Sequence, residues 1–276
     1  MSERRVETNG LSFRVLEDGD PDGPPVMLLH GFPDSADLWR HQVSALVAAG
    51  YHTIAPDLRG FGESDRPEGV DHYTIPVLME DVRGWLDAFG IDRVRLVVHD
   101  WGAVLGWLFA ASHPERVDRM ATISVGYQSR RPSAEEAQAY WYIFLWQFEF
   151  AEHLLSRNGW KLMREWLREG RPGATPDIER NIADLSRPGA LTAGLSYYRA
   201  IAQPQVVMED ELPVPPVECP VLAVWGEHDI LPESRMTVSE ENVLGPWRYE
   251  RLDGLGHWLM LEDPERLNAL LLDFLA

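Results

Sequence analysis

Apolar residues fall along this chain in two alternating rhythms. Short unbroken runs, "PVMLLHGF", "YHTIAPDL", "RVRLVVHD", "RMATISV" and "CPVLAVWGEHD", each close on or beside Gly, Asp or Pro. Runs of this length suit parallel strands covered on both faces. Between them lie "SADLWRHQVSALVAAG", "IPVLMEDVRGWLDAFG", "GAVLGWLFAASHPERV" and the terminal "DPERLNALLLDFLA", which read as helices. Strand–helix alternation predicts the α/β class, with a mostly parallel central sheet flanked by helices. The opening "RRVETNGLSFRVLEDG" instead alternates around Asn9-Gly10, a pair suited to a tight hairpin turn.

Between about Tyr127 and Pro216 the alternation stops. "AYWYIFLWQFEFAEHLLSRNGWKLMREWLREG" and "GALTAGLSYYRAIAQ" read as aromatic-rich helices, and Pro213, Pro215 and Pro216 close the segment. The pattern predicts a helical cap over 128–215, inserted between a first core part, 1–127, and a second, 216–276.

A chain of 276 residues has room for one substantial core and such an insertion. Composition mainly excludes. The net charge of -19 argues against nucleic acid and anionic membrane as partners. No apolar run reaches membrane-span length and the opening "MSERRVETNG" is too polar for a signal peptide, so a cytoplasmic location is expected. A single cysteine, Cys219, rules out an internal disulfide, and the nine histidines show no metal-ligand spacing. Neither metal nor cofactor is expected, and a homodimer is left open.

The chemistry centres on "LVVHDWGAV", Leu96 to Val104. A strand running through His99-Asp100-Trp101-Gly102 straight into a helix is the arrangement of a nucleophile elbow, with backbone donors of the helix N-terminus around the central side chain. Asp is also a favoured N-cap, so Asp100 could be a cap and nothing more. Val98 stands two positions before it, where the elbow usually has glycine. Downstream come Asp229, at the end of an apolar strand, and His257, in a Gly-rich loop before the last helix. Nucleophile, acid and histidine in this order are what α/β-hydrolases carry.

Four motifs make the likeness specific: His30-Gly31-Phe32-Pro33, His99-Asp100-Trp101-Gly102, Gly226-Glu227-His228-Asp229 and Gly256-His257-Trp258. Over its whole length the sequence resembles the α/β-hydrolase superfamily, and within it the epoxide hydrolases. The resemblance implies the α/β-hydrolase fold and a triad of Asp100, Asp229 and His257. It also implies an oxyanion hole from the backbone N–H groups of Phe32 and Trp101. His30, Pro33, Trp141 and Trp258 would contact substrate, and "DLRGFGESDRP" (Asp57 to Pro67) would support the site.

A carboxylate needs no activating base at neutral pH and can displace a leaving group at saturated carbon. That leaves an ester on the enzyme, which a histidine-activated water then hydrolyses. The substrate class is therefore an epoxide or an alkyl halide. An epoxide oxygen leaves as an alkoxide and needs a proton donor, for which a phenol is suited. Epoxide hydrolases resemble one another in carrying two such cap tyrosines, and the matching positions are Tyr142 and Tyr198, with neighbours Tyr140 and Tyr197 leaving the donors open. Packing is the competing role, since Tyr142 and Trp146 share a helix face.

The alternative activity is haloalkane or haloacid dehalogenation by the same Asp nucleophile. Haloalkane dehalogenases are similar in having Trp after the nucleophile, but many carry Asn where this chain has Phe32. Fluoroacetate dehalogenases place arginines just after the nucleophile, and Trp101 to Leu105 contain none. A third reading is a non-catalytic ligand-binding protein on the same fold. The expected substrates are a small apolar epoxide and water.

Overall fold

The computed structural model describes residues 1–127, 132–170, 175–203 and 214–276, in which eight strands form one sheet. They are β1 (Ser2–Thr8), β2 (Leu11–Asp18), β3 (Pro25–Leu29), β4 (His52–Pro56), β5 (Val94–His99), β6 (Val117–Ile123), β7 (Val221–Gly226) and β8 (Trp247–Leu252). Their order is β1-β2-β4-β3-β5-β6-β7-β8. The pairs β1/β2 and β2/β4 are antiparallel and every later pair is parallel. This is the α/β-hydrolase fold.

Local chemistry sets the start. Asn9 and Gly10 both take positive φ, 49° and 74°, between the paired residues Thr8 and Leu11. Such a turn matches the twist of the flanking strands. The apolar runs become the central strands, and all six residues of β7 are buried. Helix α1 (Arg40–Ala48) packs beside the terminal helix Pro264–Leu275, and α2 (Ile75–Ala88) beside α3 (Trp101–Ser112). Strand β8 does not follow from apolar patterning. Its residues, WRYERL, bury only Leu252, because it lies at the sheet edge with β7 as its single ladder partner.

Between β6 and β7 lie five described helices: α4 (Ala134–Ala139), α5 (Trp141–Trp146), α6 (Ala151–Gly170), α7 (Thr175–Leu185) and α8 (Ala190–Ile201). The segment read as one helical stretch through "AYWYIFLWQFEFAEHLLSRNGWKLMREWLREG" is broken. It turns at Tyr140 and after Trp146, and α6 itself is interrupted at Arg157–Trp160, where Asn158, Gly159 and Trp160 are left-handed. Asn and Gly tolerate that conformation better than other residues. Residues 128–131, at the predicted start of the cap, and Pro213, near its end, lie outside the described residues. Among the described residues no helix is long and apolar enough to cross a membrane.

The loop after β4 is a scaffold. Asp57 accepts hydrogen bonds from the backbone N–H groups of Ala36 (2.7 Å) and Glu63 (2.8 Å) and pairs with Arg14. Arg59, buried, makes a two-pronged ion pair with buried Asp81 at 2.8 and 2.6 Å. Removing one partner of such a pair strands the other charge without water. Asp81→Ala is expected to cost about 3–5 kcal/mol of stability in denaturant unfolding. An unchanged unfolding midpoint would refute that role for the pair.

Candidate active site

Strand β5 ends at His99, and Asp100 stands at the N-cap position of α3 with φ 50° and ψ -121°, its side chain making no capping hydrogen bond. A non-glycine residue held there is strained by roughly 1–3 kcal/mol, and the strain aims the side chain out of the turn. Two close approaches make room for it. A Cβ on Gly31 would lie 2.2 Å from Asp100 Oδ1, so only glycine fits opposite the carboxylate. The branched side chain of Val98 is accommodated from α3, where a Cβ on Gly106 would meet Val98 Cγ1 at 2.8 Å. The glycine missing before the nucleophile has its counterpart on the helix that follows.

The two carboxylate oxygens of Asp100 differ. Oδ1 accepts the Phe32 N–H at 2.7 Å, and the Trp101 N–H also donates to the carboxylate. Oδ2 faces His257 Nε2 at 3.9 Å, too long for a direct hydrogen bond. Burial raises the Asp100 pKa above the usual carboxylate value, against the lowering effects of His257 and the two N–H donors.

His257 Nδ1 lies 2.9 Å from Asp229 Oδ1, which also accepts the Leu231 N–H. A carboxylate only accepts, so the Nδ1 proton is fixed and Nε2 is turned toward Asp100. Burial opposes the imidazolium, but Asp229, then Asp100 and Asp34, outweigh it and hold the His257 pKa above 6.5. The loop is held from several sides. His99 Nε2 and Ser124 Oγ donate to the His257 carbonyl, and the His257 N–H donates to the Gly170 carbonyl at the end of α6.

Two acids that the motifs do not single out, buried Asp34 and half-buried Glu262, complete this frame. Glu262 accepts the N–H groups of Gly256 (2.7 Å) and Trp258 (3.1 Å), one on each side of His257. Asp34 accepts from Trp258 Nε1 (2.7 Å) and from Asn181 Nδ2 (2.9 Å), tying the histidine loop to α7 and to the loop after β3. The available signals were an acid directly after His30-Gly31-Phe32-Pro33 and a Glu in the short helix after Trp258.

Two tyrosines on the helices between β6 and β7 face the Asp100 site. Tyr198, on α8, sets its ring edge-on to Trp101 (4.8 Å) and Phe32 (5.6 Å), the residues whose N–H groups hold Asp100. Tyr142, on α5, lies 6.4 Å from Tyr198 between ring centroids, at 80°. Burial, then the Asp100 charge, pushes both phenols well above their ordinary pKa. Among the described residues none accepts a hydrogen bond from either hydroxyl. The Tyr197 hydroxyl, by contrast, is used on the Arg59 carbonyl at 2.8 Å, and Tyr140 stacks its ring under Arg235.

The residues expected to touch substrate separate into different positions. His30 is fully buried with Nε2 accepting the Leu58 N–H and Nδ1 donating to the Gly31 carbonyl, so its ring is committed to the backbone. Burial keeps it neutral by lowering its pKa. The Pro33 carbonyl accepts from Asn181, and the Trp258 indole is buried against His257 with its N–H on Asp34. These three build the frame instead of offering polar groups to a ligand. Trp141 is 45% exposed and borders, with Tyr142, Trp166, His228 and Asp229, a cleft of about 440 Å³. Among the described residues there is no cluster of three or more His, Cys, Asp or Glu able to hold a metal ion.

Comparison with known proteins gives the family of the chain. The α/β hydrolase fold family matches residues 24–264. Epoxide hydrolase A of Mycobacterium tuberculosis is 34% identical over 315 residues, which cover 100% of this chain and 97% of that protein. Epoxide hydrolase 3 of Xenopus tropicalis is 32% identical over 98% of this chain and 76% of its own length. The crystal structure of epoxide hydrolase A from Mycobacterium thermoresistibile matches with a TM-score of 0.85 and 32% identity, covering 99% of this chain and 98% of that one. An inhibitor complex of Bacillus megaterium epoxide hydrolase gives 0.87 and 28%, covering 99% of each.

Proposed function

Because the chain belongs to the α/β hydrolase fold family, and within it to the epoxide hydrolases, we propose that it converts an apolar epoxide to a vicinal diol through an ester on Asp100. Asp100 Oδ2 attacks a ring carbon, the carbon–oxygen bond breaks, and the leaving oxygen takes a proton from Tyr142 or Tyr198. A phenolate is a weaker base than an alkoxide, so this transfer is downhill. The raised phenol pKa values keep both donors protonated across the working range.

The ester carbonyl oxygen is then Oδ1, already on the Phe32 N–H, with the Trp101 N–H donating to the same carboxylate. His257 Nε2 takes a proton from water attacking Cγ, and charge developing on Oδ1 meets those two donors. Asp229 stabilises the imidazolium. Collapse of the intermediate expels the diol oxygen, which takes the proton of the new carboxyl group and restores the carboxylate; the proton left on His257 returns through solvent to the phenolate formed in ring opening. No metal or cofactor enters these steps.

The observation that carries this reading is the Asp100 carboxylate with Oδ1 on the Phe32 N–H and Oδ2 facing His257, beneath two phenols whose hydroxyls donate to none of the described residues. Incubation with styrene oxide and 1-bromohexane tests it. Phenylethanediol without bromide release is expected; bromide release would establish the dehalogenase instead, and neither product would favour a binding protein. Tyr142→Phe and Tyr198→Phe should each slow ring opening by about 10- to 100-fold, since one phenol remains. Unchanged single-turnover rates in both would remove the phenols from the mechanism.

A further inference from the structure

The two helices that carry the tyrosines cap each other. Helix α5 ends at Trp146, and its C-cap residue Gln147 reaches across to α8. Gln147 Nε2 lies 3.0 Å from the Tyr198 carbonyl oxygen, 3.2 Å from that of Ala202 and 3.2 Å from that of Ile143 on its own helix. Helix α8 returns the contact through Arg199. Its Nε donates to the Trp146 carbonyl (3.2 Å) and its Nη2 to the Phe148 carbonyl (3.0 Å), while the guanidinium grips the Glu152 carboxylate at 2.6 and 2.8 Å.

The last carbonyls of a helix lack partners within it and carry the negative end of its dipole. An amide N–H₂ and a guanidinium are therefore suited to both ends. Each capping group sits one residue after an aromatic of the site, Gln147 after Trp146 and Arg199 after Tyr198. Trp146 packs between the phenols, with its ring 4.9 Å from Tyr142 and 4.7 Å from Tyr198.

Two phenols serving one leaving oxygen must keep a fixed separation, and neither hydroxyl is held by an acceptor among the described residues. Their spacing is set by the helices beneath them. We infer that Gln147 and Arg199 are positioning residues, a reciprocal cap that fixes Tyr142 and Tyr198 for proton delivery to the epoxide oxygen. This rests on the role proposed above for the two phenols.

Single-turnover kinetics with styrene oxide test it, because ring opening uses the phenols and ester hydrolysis uses His257. Gln147→Met keeps length and volume but removes both donors. Arg199→Lys keeps the charge but not the fork that spans two carbonyls and a carboxylate. In each variant ring opening should slow by about 10- to 100-fold, the cost of a misplacement near 1 Å, while ester hydrolysis keeps its rate. Adding Tyr198→Phe to Gln147→Met should cost less than the two separate losses combined, because both act on one proton transfer.

Unchanged ring opening, or an equal fall in both steps, would overturn the inference. Arg199→Lys is the milder change and decides the matter should Gln147→Met not fold. The tyrosine variants separate the two levels: if they leave ring opening untouched, the phenol role fails and this inference with it. If they slow it and the capping variants do not, the inference alone fails.

Discussion

Asp100→Ala is expected to lower kcat on an epoxide by on the order of 10⁴- to 10⁶-fold, the range seen when a nucleophile is removed from a site that still binds. The surrounding donors cannot compensate. On the proposed route the N–H groups of Phe32 and Trp101, which now meet the carboxylate, act on an ester carbonyl, and without Asp100 no ester forms. The variant should fold with an unfolding midpoint equal to or above that of the wild type, because burial already penalises the Asp100 charge. Diol formation by the variant within about tenfold of wild type, measured by chromatography, would place the nucleophile elsewhere.

His257→Gln should produce a different failure. On the proposed route ring opening needs only Asp100 and the phenols, so the first chemical step should survive, whereas turnover should fall by about 10⁴-fold for want of a base. Intact-mass spectrometry after exposure to styrene oxide should show the protein heavier by one whole epoxide. Absence of the adduct, with turnover equally lost, would mean that His257 acts before the ester.

The pH dependence of the second step follows from the same residue. His257 works as a base only when neutral, and its pKa in the free enzyme lies above 6.5. Ester hydrolysis must therefore be slow at low pH and rise as pH climbs through that pKa. Esterification removes the Asp100 charge, one of the groups that raise it. The midpoint for hydrolysis in single turnover should accordingly lie below the His257 titration of the free enzyme followed by NMR. A midpoint above it would contradict the charge coupling between the two residues.

The elements and residues that reasoning from the chain reaches are those with local signatures. Strands β3 to β7 announce themselves as apolar runs, and the hairpin by Asn9-Gly10, because the physics that forms them lies within a few residues. Asp100, Asp229 and His257 each sit at the end of a strand or in a loop whose neighbours are diagnostic. Strand β8 is an edge strand, and polar residues such as Arg248 and Glu250 are tolerated there. Breaks within the cap are set by packing among α4, α5 and α6 and by the left-handed turn at Asn158-Gly159, not by apolar spacing.

The supporting residues were hidden for another reason. Asp34 bonds to Trp258, 224 positions away, and Tyr197 to Arg59, 138 away. Nothing near either residue encodes its partner. The same holds for the choice among tyrosines. Tyr197 and Tyr198 are equivalent as letters, and only the fold gives the first a carbonyl and the second the edge of Trp101.

The most direct test of the covalent route is a single turnover in oxygen-18 water with enzyme in excess over styrene oxide. The ester route transfers the old Oδ2 of Asp100 to the diol and leaves the water oxygen in the carboxylate. The diol should emerge unlabelled, and the peptide containing Asp100 should gain one heavy oxygen. A labelled diol with an unlabelled Asp100 peptide would mean that water attacks the epoxide directly, and the role assigned to Asp100 would be wrong.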